Sequence, residues 1–440
     1  MQHHLQHIAA QWPNYQPEAL RVEDAVAILA QMVQPLAKSA QNIEQLHLKD
    51  CLGRVLAHDV ISPINVPPHD NAAMDGYVFH SNALQMPQSR AKSLQLKVVG
   101  AVLAGQVWSG NVAADECLKI MTGAAIPAGL NTVVPHEQVH YSDTPFPAIA
   151  LNTQRVRQGD HCRLMGEDLA AGATALQQGE MLTPAAIGLA ASVGLAQLSV
   201  MRRLRVAYFS TGDEILNAGD APRAGAVFDS NRFTMLGLLN RLGCTTIDMG
   251  AVPDQPALLH AALEQAAAQA DVVITTGGVS TGDADVTHFT LKALGEVIYW
   301  KLAMRPGRPM AVGRIGSAML LGLPGNPVAA MVSFLVLVQP TLLRMMGARV
   351  QPIPKLHART LERIPKKPGR TEYVRGVFSN AKDGALQVKT TGAQGSGMLS
   401  SMVHANCLIV LPLESADIVV GDLVEVRMLQ GYSSLAPTCA

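Results

Sequence analysis

The chain has 440 residues, too many for one ordinary core, and about 150 residues per domain predicts roughly three domains. Thirty-four basic side chains balance thirty-four acidic ones, so no net field recommends a nucleic acid or an anionic membrane surface as partner. Six scattered cysteines (Cys51, Cys117, Cys162, Cys244, Cys407, Cys439) form no CxxC pair, and the opening MQHHLQHIAA lacks a basic-then-apolar leader; zinc knuckle, disulfide scaffold and signal peptide are set aside and a reducing cytoplasm is expected.

RVEDAVAILAQMVQPL (21–36) reads as a helix, and TPAAIGLAASVG (183–194) as another, with Thr183 as cap and Pro184 at the first helical position. Between them, turns and strand-like segments dominate, LQLKVVGAVLAG (94–105) and CLKIMTG (117–123) above all. The expectation is a split helical domain, 20–62 with 169–203, interrupted by a β-rich insertion at 63–168.

Over 204–353 the rhythm alternates. LRVAYF (204–209) reads as a strand, DSNRFTMLGLLNRLG (229–243) as a helix capped by Asp229 or Ser230 and stopped by Gly243, and TTIDMG (245–250) as a strand. QPALLHAALEQAAAQA (255–270), with Pro256 in its first turn, is the next helix, and DVVITT (271–276) the next strand. This pattern predicts a parallel, doubly wound three-layer α/β domain, whose ligands gather beyond the carboxyl ends of the strands. Val328–Leu343 is uncharged, but Pro340 is expected to interrupt it, leaving less than the ~20 residues of a membrane span and predicting a buried helix. In 354–440, short alternating segments (LHARTLERI, TEYVRGVFS, ALQVKTTG, NCLIVLP, DLVEVRML) predict a small all-β domain.

ITTGGVSTGDAD (274–285) looks like a phosphate loop yet lacks the lysine of a P-loop, and carries Asp283 and Asp285 instead. STGDE (210–214) adds Asp213 and Glu214 past a neighbouring strand. Carboxylates on glycine-rich loops hold Mg²⁺, which keeps water and is shared with substrate phosphates. A diphosphate met by a metal and by backbone N–H groups suits such a site. The alternative is that Asp283 or Asp285 caps a helix near Val286 and Glu214 begins an ordinary turn. WKLAMRPGRPMAVG (300–313) clusters Lys301, Arg305 and Arg308 at a Pro-Gly turn, either a tetrahedral oxyanion site or a solvated loop. GLPGNPVAA (322–330) starts a helix at Asn326 and Pro327. INVPPHDNAAMDGY (64–77) places Asp70, Asn71 and Asp75 on a stiff polar loop, IMTGAAIPAGLNTVVPHE (120–137) offers Thr122 and Glu137, and RLMGED (163–168) offers Arg163, Glu167 and Asp168. His69, His136, His140 and His161 show no metal-ligand spacing.

Taken together and in order, PPHDNAAMDGY, IMTGAAIPAG, MGED, FSTGDE, TTGGVSTGDAD, WKLAMRPGRP, GLPGNPV and GRTEYVRG resemble the molybdopterin molybdotransferase family (MoeA and the gephyrin E domain). The resemblance implies a four-domain subunit with a C-terminal β-barrel, and a homodimer whose cleft lies between the insertion of one subunit and the α/β and barrel domains of the other. It implies Mg²⁺-dependent insertion of molybdate into adenylylated molybdopterin with release of AMP. Asp75, Glu214, Asp254, Asp285 and Lys301 match the family's catalytic positions, with Glu214 and Asp285 as metal ligands. Thr122, Arg163, Asp168, Ser210, Thr211, Gly212, Gly277, Gly278, Ser280, Arg305, Arg308, Arg375 and Ser396 match positions that bind pterin, phosphate or molybdate. Molybdopterin adenylyltransferase and molybdenum-enzyme maturation proteins are candidate partners. A smaller adenylyltransferase and a non-catalytic scaffold are the competing readings; the first does not need the insertion or barrel, and the second needs an added partner domain. The chain departs from its relatives in having Arg305 and Arg308 for the lysines of KPGKP, Ala329 for a serine after NPV, Asn131 for an aspartate and His69 for an aromatic residue. The choice between molybdate and tungstate stays open.

Overall fold

A six-stranded sheet occupies the middle of the chain because its strand residues alternate between two buried clusters. In Arg205–Thr211, Val206 and Tyr208 enter one cluster, Ala207 and Phe209 the other, as expected of a strand covered on both faces. This is a computed structural model, and it describes residues 4–13, 15–85, 93–143, 145–279, 290, 295–349 and 354–429.

The sheet order is Thr245–Val252, Arg205–Thr211, Val272–Thr276, Ala318–Leu323, Pro309–Ile315, Glu296–Lys301. The first four strands run parallel; Pro309–Ile315 is antiparallel to both its neighbours, so Glu296–Lys301 points with the first four again. Helical crossovers enforce the parallel part; the last three strands in sequence are joined by turns too short for a crossover, so they fold back as hairpins. Helix Pro256–Gln269 covers one face through Leu259, Ala262, Leu263 and Ala266. Helix Ser230–Arg241 covers the other through Met235 and Leu239, its N-cap Asp229 accepting the Arg232 N–H at 2.9 Å. Gly243 closes it at φ +83. The three-layer α/β reading therefore holds, with an antiparallel pair added to it.

The expected interruption at Pro340 does not occur. One helix runs Pro327–Met345, 19 residues, and widens to a π-turn over Phe334–Val338, where Gln339 N–H donates to Phe334 O. The wider turn accommodates the N–H that proline lacks. Its composition would suit a membrane span, but it is 67% buried, packing against Ile28 and Leu29 of helix Val22–Met32. It is a core helix, as its sequence suggested.

The two halves of the split region meet through strands: Ile43–His47 pairs with Gln197–Met201, and Val60–Ile61 with Thr174–Leu176, both antiparallel. Their helices do not share a core. Val22–Met32 joins the α/β core, whereas Pro184–Ser192, capped by Thr183 Oγ1 at 3.2 Å from Ala186 N, packs with Leu56 and Leu198. The insertion carries a second six-stranded sheet, in which Gly76 lies so close to Val134 that a Cβ would stand 2.0 Å from its carbonyl oxygen. The C-terminal strands close a five-stranded barrel, Thr371–Asn380 pairing with both Leu386–Thr390 and Cys407–Leu411 around Ala358, Val374, Val388, Ile409 and Val426.

Asp271 ties the split region to the sheet. Its carboxylate receives two bonds of 2.7 Å from Arg202 and one of 2.8 Å from Arg205 N–H, while Arg202 Nε reaches Asn42 Oδ1 at 2.7 Å. Burial alone would raise the Asp271 carboxyl, but these donors outweigh it and hold it below the usual range. A depressed carboxyl contributes stability above its unfolded pKa of about 4 and loses it as pH falls through the folded value. Asp271→Ala is expected to lower the urea-unfolding free energy at pH 7 by about 2–4 kcal/mol, because two arginines lose their partner. The gap to the wild type should narrow when unfolding is repeated below about pH 4.

Candidate active site

The site is built where four loops meet beyond the strand ends. Strand Val272–Thr276 ends at Gly277, which has φ +91 and lies so near Thr211 that a Cβ would stand 2.4 Å from its carbonyl oxygen. Only glycine permits that approach. Beneath it, Tyr208 OH lies 2.6 Å from Thr276 Oγ1 and 2.8 Å from Ser210 Oγ, and burial pushes the phenol well above its ordinary value. Ser210 and Thr211, both candidates from sequence, are buried and engaged internally; the Thr211 hydroxyl donates to Asp254. The Asp254 N–H in turn donates to Asp213 Oδ1 at 3.1 Å, and the Glu214 carboxylate folds over Gly212, 2.6 Å from where a Cβ would be. Asp213, Glu214 and Asp254 thus share one acidic corner. Ser280, Asp283 and Asp285 lie outside the described residues.

The basic turn is held from three sides. Leu20 N–H donates to Lys301 O at 3.1 Å and Ala303 N–H to Leu20 O at 2.7 Å; Leu302 N–H closes the turn on Arg308 O at 2.7 Å. Met304–Arg305 pairs parallel with Thr371–Glu372 of the barrel, and Thr371 N–H donates to Ala303 O at 2.9 Å. Lys301 is engaged by Glu18, and Arg305 lies 3.7 Å from Glu372. Arg308 is exposed, and among the described residues no carboxylate pairs with it.

The remaining walls are the turn Pro324–Asn326 and the barrel loop Gln394–Ser396. Asn231 Nδ2 donates to Gly325 O at 2.7 Å, and Val328 N–H donates to Ser396 O at 3.0 Å. Together these loops enclose a cavity of about 780 Å³ lined by Gly277, Gly278, Lys301, Arg305, Arg308 and Ser396. Those six sequence candidates are brought together. Arg370 also lines the cavity, and sequence reasoning missed it while selecting Arg375 from the same GRTEYVRG segment. The start of the strand separates them: Arg370 precedes strand Thr371–Asn380, whereas Arg375 lies inside it.

Arg375 does not line the cavity. It is 1% exposed, and its guanidinium donates to Ser401 Oγ and Gly395 O, each at 3.0 Å, while its N–H donates to Gln394 Oε1 at 2.8 Å. Burial, and then the charge of Arg305, lower its pKa. It braces the loop that carries Ser396.

On the insertion, Thr122 donates to Asp75 Oδ1 through its hydroxyl at 2.6 Å and its N–H at 2.7 Å, and these bonds hold the Asp75 carboxyl below the usual range. Arg163, paired with Asn71 in a short ladder, and Asp168 are exposed on the same domain. None of these four lines the basic cavity.

Among the described residues no three His, Cys, Asp or Glu side chains form a metal cage. The hard oxygens of Glu214 and Asp254 nevertheless suit Mg²⁺, which accepts one or two carboxylates and completes its shell with water and phosphate. The donor chemistry fits that ion and argues against a thiolate or imidazole centre.

Gly307 sets the shape of the basic turn: φ is +101, and a Cβ would lie 2.5 Å from the buried Ser333 Oγ. Gly307→Ala is expected to lower stability by about 1–3 kcal/mol in urea unfolding. Adding Ser333→Ala should restore part of the loss, since the clash partner is removed while the backbone strain stays.

Three family models match: the MoeA N-terminal region (domains I and II) over residues 20–194, a probable molybdopterin binding domain over 207–344, and the MoeA C-terminal region (domain IV) over 357–429. A protein named molybdopterin molybdenumtransferase from Haemophilus influenzae is 39% identical over 388 residues, 87% of this chain and 93% of the relative. One of the same name from Nostoc sp. is 33% identical over 93% of each chain. A crystal structure of the molybdopterin biosynthesis MoeA protein from Pyrococcus horikoshii, 29% identical, superposes with a TM-score of 0.73 over 94% of this chain and all of the other. With all three regions matched in order and most of the length aligned, the chain belongs to the MoeA family of molybdopterin molybdenumtransferases.

Proposed function

We propose that this transferase inserts molybdate into adenylylated molybdopterin, with Mg²⁺, and releases AMP together with the molybdenum cofactor. The observation that carries the reading is the convergence of Gly277 and Gly278, the cations of the 301–308 turn, Arg370 and Ser396 on one cavity beside the acidic corner of Asp213, Glu214 and Asp254. A glycine loop offers backbone N–H groups to a diphosphate. The arginines offer paired donors to a tetrahedral oxyanion.

Glu214 and Asp254, with Asp285, are the residues that would hold Mg²⁺, which when bound neutralises the diphosphate and polarises its bridging bond. Lys301 and Arg305, each engaged with a carboxylate, are already oriented. Arg308, lacking such a partner among the described residues, has its donors free for the oxometallate. Fixed charges of this kind stabilise charge that develops as AMP leaves. Arg305 and Arg308 replace compact ammonium groups by broad forks, so tungstate, with the same tetrahedral outline, fits the same donors.

We take the working unit to be a homodimer acting in the cytoplasm. The location of Asp75 and Thr122 on the insertion, outside the basic cavity, supports a site completed by a second subunit. Five free thiols among the described cysteines support a reducing compartment.

Purified protein given adenylylated molybdopterin, Mg²⁺ and molybdate should release AMP; no release above a molybdate-free control would overturn the reading. Arg308→Ala is expected to raise the molybdate concentration for half-maximal release by about ten-fold or more, the loss of one charge-assisted donor. In sedimentation the protein should weigh twice 46.7 kDa. Asp75→Asn and Arg308→Ala, each impaired alone, should recover about a quarter of wild-type release at limiting molybdate when unfolded and refolded together, because half of the dimers then hold one intact shared site.

A further inference from the structure

The inserted sheet carries a second concavity, of about 870 Å³, on the face that holds Asp75. Its volume falls in the range of small-ligand sites, about 300–1,000 Å³. Tyr77 forms its floor and Tyr141 its wall, the ring centroids 6.5 Å apart and the planes inclined by 15°. Tyr77 is 6% exposed, whereas Tyr141 is 51% exposed with its hydroxyl anchored by Asp143. One aromatic face is therefore held in place and left open. Lys119 stands directly across the ladder from Tyr77, so both project from the same side of the sheet, and Lys119 is exposed. Asp75 presents a carboxylate whose position Thr122 fixes with two bonds. His136, beside Glu137 at 3.4 Å, completes the polar rim.

An open aromatic face, a fixed acceptor and an ammonium within one hollow suit a planar nitrogen heterocycle that bears phosphate. The ring stacks, its N–H groups donate to the carboxylate, and the anion meets the ammonium.

We propose that this concavity is the ring-binding subsite for the nucleotide-linked pterin, with Tyr141 as the stacking face, Asp75 as acceptor for ring N–H groups and Lys119 as the phosphate contact. The inference rests on the reaction proposed above, and it extends that reaction's substrate contacts to residues of the insertion that carry no role in the basic cavity. Adenine and pterin share the required chemistry, and the test separates them.

The full-length protein is titrated calorimetrically with AMP and, separately, with a pterin monophosphate. Tyr141→Ala is expected to weaken the ligand held here by about ten-fold or more, and Tyr141→Phe, which keeps the ring, to stay within about three-fold of the wild type. Loss confined to AMP assigns the hollow to adenine; loss confined to the pterin assigns it to the pterin. In turnover, Tyr141→Ala should raise KM for adenylylated molybdopterin and leave the molybdate requirement unchanged. Binding of both ligands by Tyr141→Ala within about two-fold of the wild type, or no binding of either by the wild type, overturns the subsite. Ligand binding lost in Tyr141→Ala, but no molybdate-dependent AMP release from the wild type, keeps the subsite and removes the reaction.

Discussion

Two residues of β-pairing hold the basic cavity together. Met304–Arg305 runs parallel to Thr371–Glu372, while Leu20 bridges Leu302 from the other side. The turn that carries Lys301, Arg305 and Arg308 is therefore a shared property of the N-terminal segment, the α/β sheet and the barrel. A cationic loop with only its own sequence to shape it would spread its charges into solvent and lose side-chain entropy on every binding event. Pinned by backbone bonds on both flanks, the turn would meet the anion proposed above with its cations already arranged.

The electrostatics follow from that geometry. The chain has no net charge, so attraction for an anion must come from segregation. Carboxylates collect at the ends of the 205–211 and 245–252 strands, and cations collect at the 301–308 turn. Under the reaction proposed above, a ligand combining a diphosphate, a divalent ion and an oxometallate would meet the cations of the cavity and the carboxylates of the neighbouring strand ends with different groups. Neither corner alone would distinguish such a ligand from a simple phosphate or a simple cation.

Much of this was legible in the residues, for reasons that differ by element. Helix and strand positions of the α/β domain followed from period and capping: Asp229, Pro256 and Gly243 stand where the sequence placed them. The antiparallel pairing of the last two strands was not legible. Glu296–Lys301 and Pro309–Ile315 are as apolar as a parallel strand, and only the missing crossover helix distinguishes them. Pro340 read as a break because local rules count a lost hydrogen bond; the π-turn supplies a path around it that depends on the surrounding core. Gly277, Lys301 and Arg308 could be chosen by residue type, since glycine turns and clustered cations announce themselves, whereas Ser396 came only from the family resemblance. Arg370 and Arg375 could not be separated that way, because only the start of strand Thr371–Asn380 decides which of the two is buried.

The bond from Val328 N–H to Ser396 O joins the start of the core helix to the barrel loop at the rim of the cavity. It makes barrel and helix a single mechanical unit there, with Arg375 stiffening the loop behind Ser396. A ligand gripped by residues of both parts is bound only while they are docked, so occupancy and docking stabilise each other by the same free energy. On the reaction proposed above, substitutions deep in the barrel that loosen its seat would be felt as weaker anion retention, although they touch no ligand.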